Sequence, residues 1–265
     1  MKLPEGHTRM IEAAASVNPN TVVVLLCGSA VECPWADRVK AVLYMGLPGQ
    51  VGGEAIADLL YGRVNPSGKL AESWPYTYED VPSSEIYGRT ADALYQEGVY
   101  VGYRYYEKAG VPVRWPFGYG LSYTDFVYSD LTVDGDTVSV IVKNTGSLAG
   151  AEVVQLYIAA PQNGLHRPGR ELKGFKKVFL QSGESRSVTF VLTDRSFAVW
   201  QDGWKVPTGE YAVCAGGLCA SVRRSGEALR IPPRQPGSSG IRTASESRTE
   251  RTGRPCWAAD THRRC

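Results

Sequence analysis

Histidine, methionine and long apolar runs are scarce in this chain. The three histidines, His7, His166 and His262, stand far apart, so no imidazole cluster for a metal or a proton relay can be read from them. The six cysteines, Cys27, Cys33, Cys214, Cys219, Cys256 and Cys265, never take the two-residue spacing of zinc knuckles or thioredoxin-like sites. Cys27 and Cys214 each lie in an apolar run and read as small buried hydrophobes, not as reactive thiols. The pattern calls for no metal and no cofactor, and it predicts a reducing, cytoplasmic setting. The longest fully apolar run, Val22 to Cys27, is far short of the ~20 residues that cross a bilayer. Met1-Lys2-Leu3-Pro4-Glu5-Gly6 turns polar at once and lacks the apolar middle of a secretory signal. Neither membrane insertion nor export is expected. With 29 Lys plus Arg against 27 Asp plus Glu, the formal charge is only +2, which suggests neither nucleic acid nor an anionic membrane as partner.

That balance hides an asymmetry. Pro232 to Cys265 holds seven arginines against three acids, a net of +4, which leaves −2 for residues 1–231. The same segment has no Leu, Val, Phe or Tyr, so it has almost nothing to bury, and residues 226–265 are expected to form a disordered tail. A basic arm for polyanions is one reading of it, but its charges are thin and interleaved with acids. The abrupt change of composition also reads as out-of-frame translation of GC-rich DNA.

What is present falls into three zones. In residues 1–75, Met10, Ile11, Ala14 and Val17 recur at helical spacing and Asn18-Pro19-Asn20 stops the helix. Thr21 to Cys27 and Val39 to Met45 are continuous β-branched and aliphatic runs, the pattern of strands covered on both faces. Between the second run and the Asn65-Pro66-Ser67-Gly68 turn lies a helix marked by Ile56, Leu59 and Leu60, with Gly62 placed to cap it. Lys69 to Trp74 is expected as a third strand. The pattern is a partial open α/β sheet, too small to bury both faces, as if the N-terminus cut through a domain.

Residues 76–123 contain twelve of the 27 aromatic residues and little periodicity. Such a segment fills an interdomain seam or stacks on sugar rings. From residue 124 to 225 the period changes to two, with Asp134-Gly135 as a hairpin signal. Strands are expected at Phe126–Val133, Thr137–Lys143, Glu152–Ala159, Glu171–Leu180, Ser185–Leu192, Phe197–Trp200 and Tyr211–Ala215, an all-β sandwich of immunoglobulin-like type.

The motifs carry a family resemblance. Gly46-Leu47-Pro48-Gly49-Gln50 with Gly52-Gly53, then Ala55 through Leu70 with its Gly62-Arg63-Val64-Asn65-Pro66-Ser67-Gly68-Lys69 core, resembles the C-terminal α/β domain of glycoside hydrolase family 3. Glu97 to Tyr106 and Pro116 to Thr124 resemble that family's junction. Val142 to Gly146, Glu152 to Tyr157 and Glu171 to Phe175 resemble its fibronectin type III-like domain.

The resemblance implies retaining hydrolysis of terminal β-D-glucosidic bonds by two carboxyl groups ~5 to 5.5 Å apart, one a nucleophile and one an acid/base. In the family the nucleophile is an Asp in a Ser-Asp-Trp context on an N-terminal TIM barrel. No such tripeptide occurs here, and Ser129-Asp130-Leu131 lies in the sandwich. Glu5 falls after the position of the acid/base Glu, so that role is not transferred to it. No catalytic residue is assigned, and the chain is expected to be a C-terminal fragment, inactive alone, whose partners are the barrel and β-glucosides. The alternative is a stand-alone carbohydrate-binding or docking module.

Ligands of open α/β sheets lie beyond the carboxyl ends of the strands, which makes Glu32 and Gln50 the substrate-adjacent candidates. Each also has a plain reading, Glu32 as a solvated loop charge and Gln50 as a helix-entry amide. Asp58 is expected to make a structural hydrogen bond, Arg104 to stack or pair at the seam, and His166 to sit exposed in a loop.

Overall fold

A computed structural model of the chain describes residues 1–89, 91–162 and 164–226. All of these fall in one compact unit. The expectation of a disordered tail therefore lies outside the described residues, apart from residue 226.

Helix α1 (Glu5–Val17) begins after Pro4 and buries only Ile11. Asn18 ends it: its amide donates to Ala14 O, and its side-chain Oδ1 accepts from Asn20 N. This Asx turn feeds the chain into β1 (Val22–Leu25). Parallel to β1 runs β2 (Ala41–Tyr44), with Val22 opposite Ala41. Helix α2 (Gly52–Leu60) follows, and Gly62 closes it in the left-handed region, at φ 71°, with its amide on Leu59 O. As expected, Asp58 is structural: its side chain pairs with Arg63 at 3.2 Å, and its carbonyl accepts from Arg63 N and Val64 N.

The third strand departs from expectation. Instead of extending the parallel sheet over Lys69–Trp74, the ladder is reduced to β3 (Trp74–Pro75), which pairs antiparallel with β4 (Val113–Trp115). Residues 69 and 70 are held elsewhere: Leu70 N donates to Tyr119 O, Gly118 N donates to Leu70 O, and Lys69 Nζ donates to Gly120 O. Residues 76–123 are likewise less bare than their lack of periodicity suggests. They contain a 3-10 turn at Tyr78–Asp80, capped by Thr77, and helix α3 (Tyr103–Ala109), which runs between the left-handed glycines 102 and 110.

Ile11, Val23, Leu25, Ala30, Cys33, Trp35 and Trp74 make the small α/β core. Trp74 sits edge-on to Tyr44 at 5.1 Å and to Trp115 at 5.5 Å, geometries that aromatic quadrupoles favour. Cys33 is a free buried thiol, pushed up to about 12 by burial, and Cys27 is free and also pushed up by burial.

The sandwich joins a three-stranded sheet, ordered β5-β6-β9, to a four-stranded sheet, ordered β13-β12-β7-β8. Its strands are β5 (Phe126–Asp134), β6 (Thr137–Asn144), β7 (Gly150–Ala159), β8 (Arg170–Leu180), β9 (Ser185–Val191), β12 (Gly209–Ala215) and β13 (Leu218–Arg224). Alternation does the sorting: on β6, Val138, Val140 and Val142 are buried, and on β7, Val154, Leu156 and Ile158 are.

Two differences from the expected strands have local causes. At Phe197–Trp200 a capping box between Thr193 and Ser196 starts the one-turn helix α4 (Asp194–Phe197), and only β10 (Val199–Trp200) remains extended, paired with β11 (Trp204–Lys205). β13 was not expected because Cys219, Ala220 and Ser221 blur its alternation. It places Cys219 directly opposite Cys214, and the two form a disulfide with Cα atoms 4.1 Å apart. Cys214 is thus a bonded, half-buried cysteine and not the free buried hydrophobe its apolar run suggests.

Asn144 is the polar hub of the sandwich. Fully buried, it accepts from Thr124 Oγ1 (2.7 Å) and Gly146 N (3.1 Å) and donates to Leu148 O and Leu180 O. Replacing it with alanine strands several buried groups, so Asn144→Ala is expected to cost about 3 kcal/mol. Urea unfolding measures this, and a loss within error of zero would remove Asn144 from the account.

Candidate functional site

The loops after β1 and β2 occupy the position where α/β sheets present ligand-binding groups. Glu32 lies in the first of them, half-buried, with Oε1 accepting a 3.0 Å hydrogen bond from Tyr78 N. Its carboxylate thus ties this loop to the start of the aromatic segment. Gln50, in the second loop, is exposed, and its side chain makes no hydrogen bond among the described residues. Val51, not Gln50, is the N-cap of α2, and no side chain caps that helix.

No hydrogen bond joins the two candidates among the described residues. Around them the surface is apolar: Leu26 and Val51 are exposed, and Leu47 is 82% exposed. Leu47 reaches within 3.9 Å of where a Cβ on Gly28 would lie, so the two loops adjoin. An apolar surface at a ligand-facing sheet end marks a covered interface more than a solvated pocket.

A second constellation lies where the α/β portion meets the sandwich. Lys69 Nζ pairs with Glu152 Oε2 at 3.1 Å while donating to Gly120 O at 2.8 Å. Tyr128 Oη donates to the other oxygen, Glu152 Oε1, at 2.9 Å. Burial, then the neighbouring Glu152 charge, pushes the Tyr128 hydroxyl well above the usual phenol range. Above the Tyr128 ring sits Gly216, where any Cβ would collide with it. Asn65 adds a second tie: Oδ1 accepts from Ser122 Oγ and Tyr123 N, both at 2.8 Å, and Nδ2 donates to Ala149 O.

The Asn-Pro-Ser-Gly-Lys stretch reads from sequence as a turn alone, so this latch was missed. One signal was available. Glu152 shares the alternating face of Val154 and Leu156, and a charge on a buried face needs a partner.

The aromatic segment covers part of the four-stranded sheet. Tyr103 stacks on Phe117 at 4.7 Å, meets Tyr157 edge-on, and accepts from Leu172 N at 2.8 Å. Glu107 holds Arg170 through two nitrogens, and Gln155 Nε2 donates to Gly118 O. Arg104 is stacked, as expected, 5.8 Å from the Tyr103 ring centre, and its Nη1 donates to Val99 O. His166 is exposed and edge-on to Tyr100. It borders a cleft of about 280 Å³ with Tyr100, Lys108, Gln162, Gly164 and Leu165. Among the described residues, no carboxylate lines that cleft.

Among the described residues, two carboxylates have displaced acidities, Asp37 and Glu184. Asp37 is lowered by its bidentate bond to Arg114, and Glu184 by the Gln181 amide and then Arg186. Both shifts run opposite to the raised value a glycosidic general acid needs. Among the described residues, no group of three or more His, Cys, Asp or Glu is placed to hold a metal, and no helix is long and apolar enough to cross a membrane.

An α/β portion joined through an aromatic seam to an immunoglobulin-like sandwich is the class these observations define. Residues 1–103 match the glycosyl hydrolase family 3 C-terminal domain, and residues 152–218 match the fibronectin type III-like domain. The two matches, in this order, correspond to the C-terminal region of glycoside hydrolase family 3 proteins.

Thermostable β-glucosidase B of Acetivibrio thermocellus is 49% identical over 228 residues, a span covering 82% of this chain and 30% of that protein. An exo-α-(1→6)-L-arabinopyranosidase of Bifidobacterium breve is 44% identical, with the same two coverages. The crystal structure of a family 3 β-glucosidase from Bifidobacterium adolescentis superposes with a TM-score of 0.82 at 40% identity, over 88% of this chain and 37% of that one. This chain therefore spans about 30% of the length of the curated relatives it matches.

Proposed function

We propose that this chain is the non-catalytic C-terminal part of a retaining β-glucosidase, and that the nucleophile and the acid/base Glu reside on a barrel domain outside it. The observation that carries this reading is the apolar surface of Leu26, Leu47 and Val51 at the ligand-facing end of the α/β sheet. Such a surface suits a large, hydrophobic domain interface, and Glu32 and Gln50 then border the substrate from the rim of that interface. β-Glucosides are the substrates of the whole enzyme, in keeping with the β-glucosidases among its relatives. An arabinopyranosidase shares this region at similar identity, which supports a choice of sugar made by barrel residues.

Retaining chemistry needs two carboxyl groups flanking one bond, and no such pair is assigned here. The purified chain is therefore expected to release no nitrophenol from 4-nitrophenyl β-glucoside above an enzyme-free blank. Turnover that survives repurification, and is lost with a substituted carboxylate of this chain, would overturn the proposal.

The cleft at Tyr100 and Lys108 gives some support to the other reading, a carbohydrate-binding module. Saturable binding of cello-oligosaccharide by the chain, abolished by Tyr100→Ala, is the result that reading requires.

A further inference from the structure

The β10–β11 hairpin presents an indole to solvent. Trp200 is 62% exposed, an unusual state for the largest apolar side chain. Its orientation is fixed from within the hairpin. Trp204 stands directly opposite and meets it edge-on at 5.4 Å, and the Arg195 guanidinium lies over the Trp204 ring. Cross-strand stacking accounts for one edge of Trp200 and leaves the rest of the indole uncovered.

The connecting loop is unusual as well. Asp202 holds φ at 51°, one of two non-glycine residues with positive φ among those described. Gln201 N donates to Gly203 O, which closes the loop at 2.8 Å. Backbone cost of this kind concentrates at functional positions. In the loop that follows Trp200, Gln201 and Asp202 are exposed, whereas Lys205, paired with Val199, projects from the opposite face of the hairpin. Among the described residues their side chains make no hydrogen bond or ion pair.

A bare aromatic ring followed by uncommitted amide and carboxylate groups matches one ligand chemistry closely. A β-linked glucopyranose carries its hydroxyls equatorially, so its two faces are C–H surfaces and its rim is polar. The face stacks on a flat ring while the rim hydroxyls meet donors and acceptors beside it. The carboxylate of Asp202 in the adjoining loop disfavours a polyanion, which leaves an uncharged sugar as the fitting ligand.

We propose that Trp200 is a stacking platform for neutral β-linked gluco-oligosaccharides, with Gln201 and Asp202 as its hydrogen-bonding rim. The proposal rests on the reading of the parent protein as a β-glucosidase. It adds a sugar-holding site on the sandwich that performs no chemistry.

The test is isothermal titration of the full chain with cellotetraose, with maltotetraose as the α-linked comparison. Saturable millimolar binding of cellotetraose is expected, weakened by about tenfold or more in Trp200→Ala. Trp200→Phe keeps part of the affinity. Gln201→Ala, which leaves both rings and the Asp202 backbone in place, weakens binding several-fold and guards against a Trp200→Ala hairpin that fails to form.

No binding of cellotetraose at millimolar concentration would overturn the proposal, as would unchanged affinity in Trp200→Ala. So would equal binding of both tetrasaccharides. Supplying the chain with a family 3 barrel separates this site from the parent reading. Trp200→Ala is expected to support hydrolysis as well as the wild type does, and a loss of hydrolysis would mark Trp200 as a domain contact and overturn the platform.

Discussion

Trp74→Ala is expected to unfold the α/β portion and leave the sandwich standing. Trp74 is 1% exposed, and its ring joins Tyr44 of β2 to Trp115 of β4, so one side chain links the parallel pair to the antiparallel one. Removing a buried tryptophan costs about 3–5 kcal/mol. The core it leaves has six other buried residues, and a core that small has little reserve. The sandwich core is separate, built on Val138, Val140, Leu156, Phe197, Tyr211 and their neighbours. Limited proteolysis of the variant should therefore leave a protected core near residues 124–226, and its thermal unfolding should show the sandwich's transition alone. Protection of residues 1–123 equal to the wild type's would contradict this division of stability.

The second large effect is expected at the latch. Lys69→Met leaves Glu152 nearly buried without its cation, and stranding one member of a buried pair costs about 3–5 kcal/mol. Lys69→Met/Glu152→Met should restore most of the loss, because an apolar pair of similar volume replaces a desolvated ionic one. If Lys69→Met alone matches the wild type in urea at pH 7, the pair is a surface contact of little consequence.

The sandwich was largely legible in sequence because its strands alternate strictly. Val138, Val140 and Val142 on one strand and Val154, Leu156 and Ile158 on another announce a buried face with no help from tertiary context. Where alternation was weak or local capping intervened, the reading failed. β13 hid behind Cys219, Ala220 and Ser221, and Thr193 with Ser196 turned an expected strand start into α4.

In the α/β portion the helices and the two parallel strands could be read. The fate of Lys69 to Trp74 could not, because it depends on residues 118–120, which lie about fifty positions away. The candidate site was legible only as position. Topology points to the loops of Glu32 and Gln50, but Glu32's bond to the Tyr78 amide and Gln50's freedom depend on the packing of distant segments. The latch partners, Lys69 and Glu152, are 83 residues apart, a separation that no local pattern spans.

One measurement bears most directly on the claim that this chain completes a β-glucosidase without supplying its catalytic groups. A family 3 barrel domain, produced separately, is mixed with the chain, and release of nitrophenol from 4-nitrophenyl β-glucoside is followed against each part alone. Neither part is expected to hydrolyse the substrate efficiently by itself, the mixture is expected to do so, and Leu47→Asp at the apolar loop surface is expected to abolish the gain. Hydrolysis by the chain alone, or a mixture no more active than the barrel even when the two are fused, would contradict that claim.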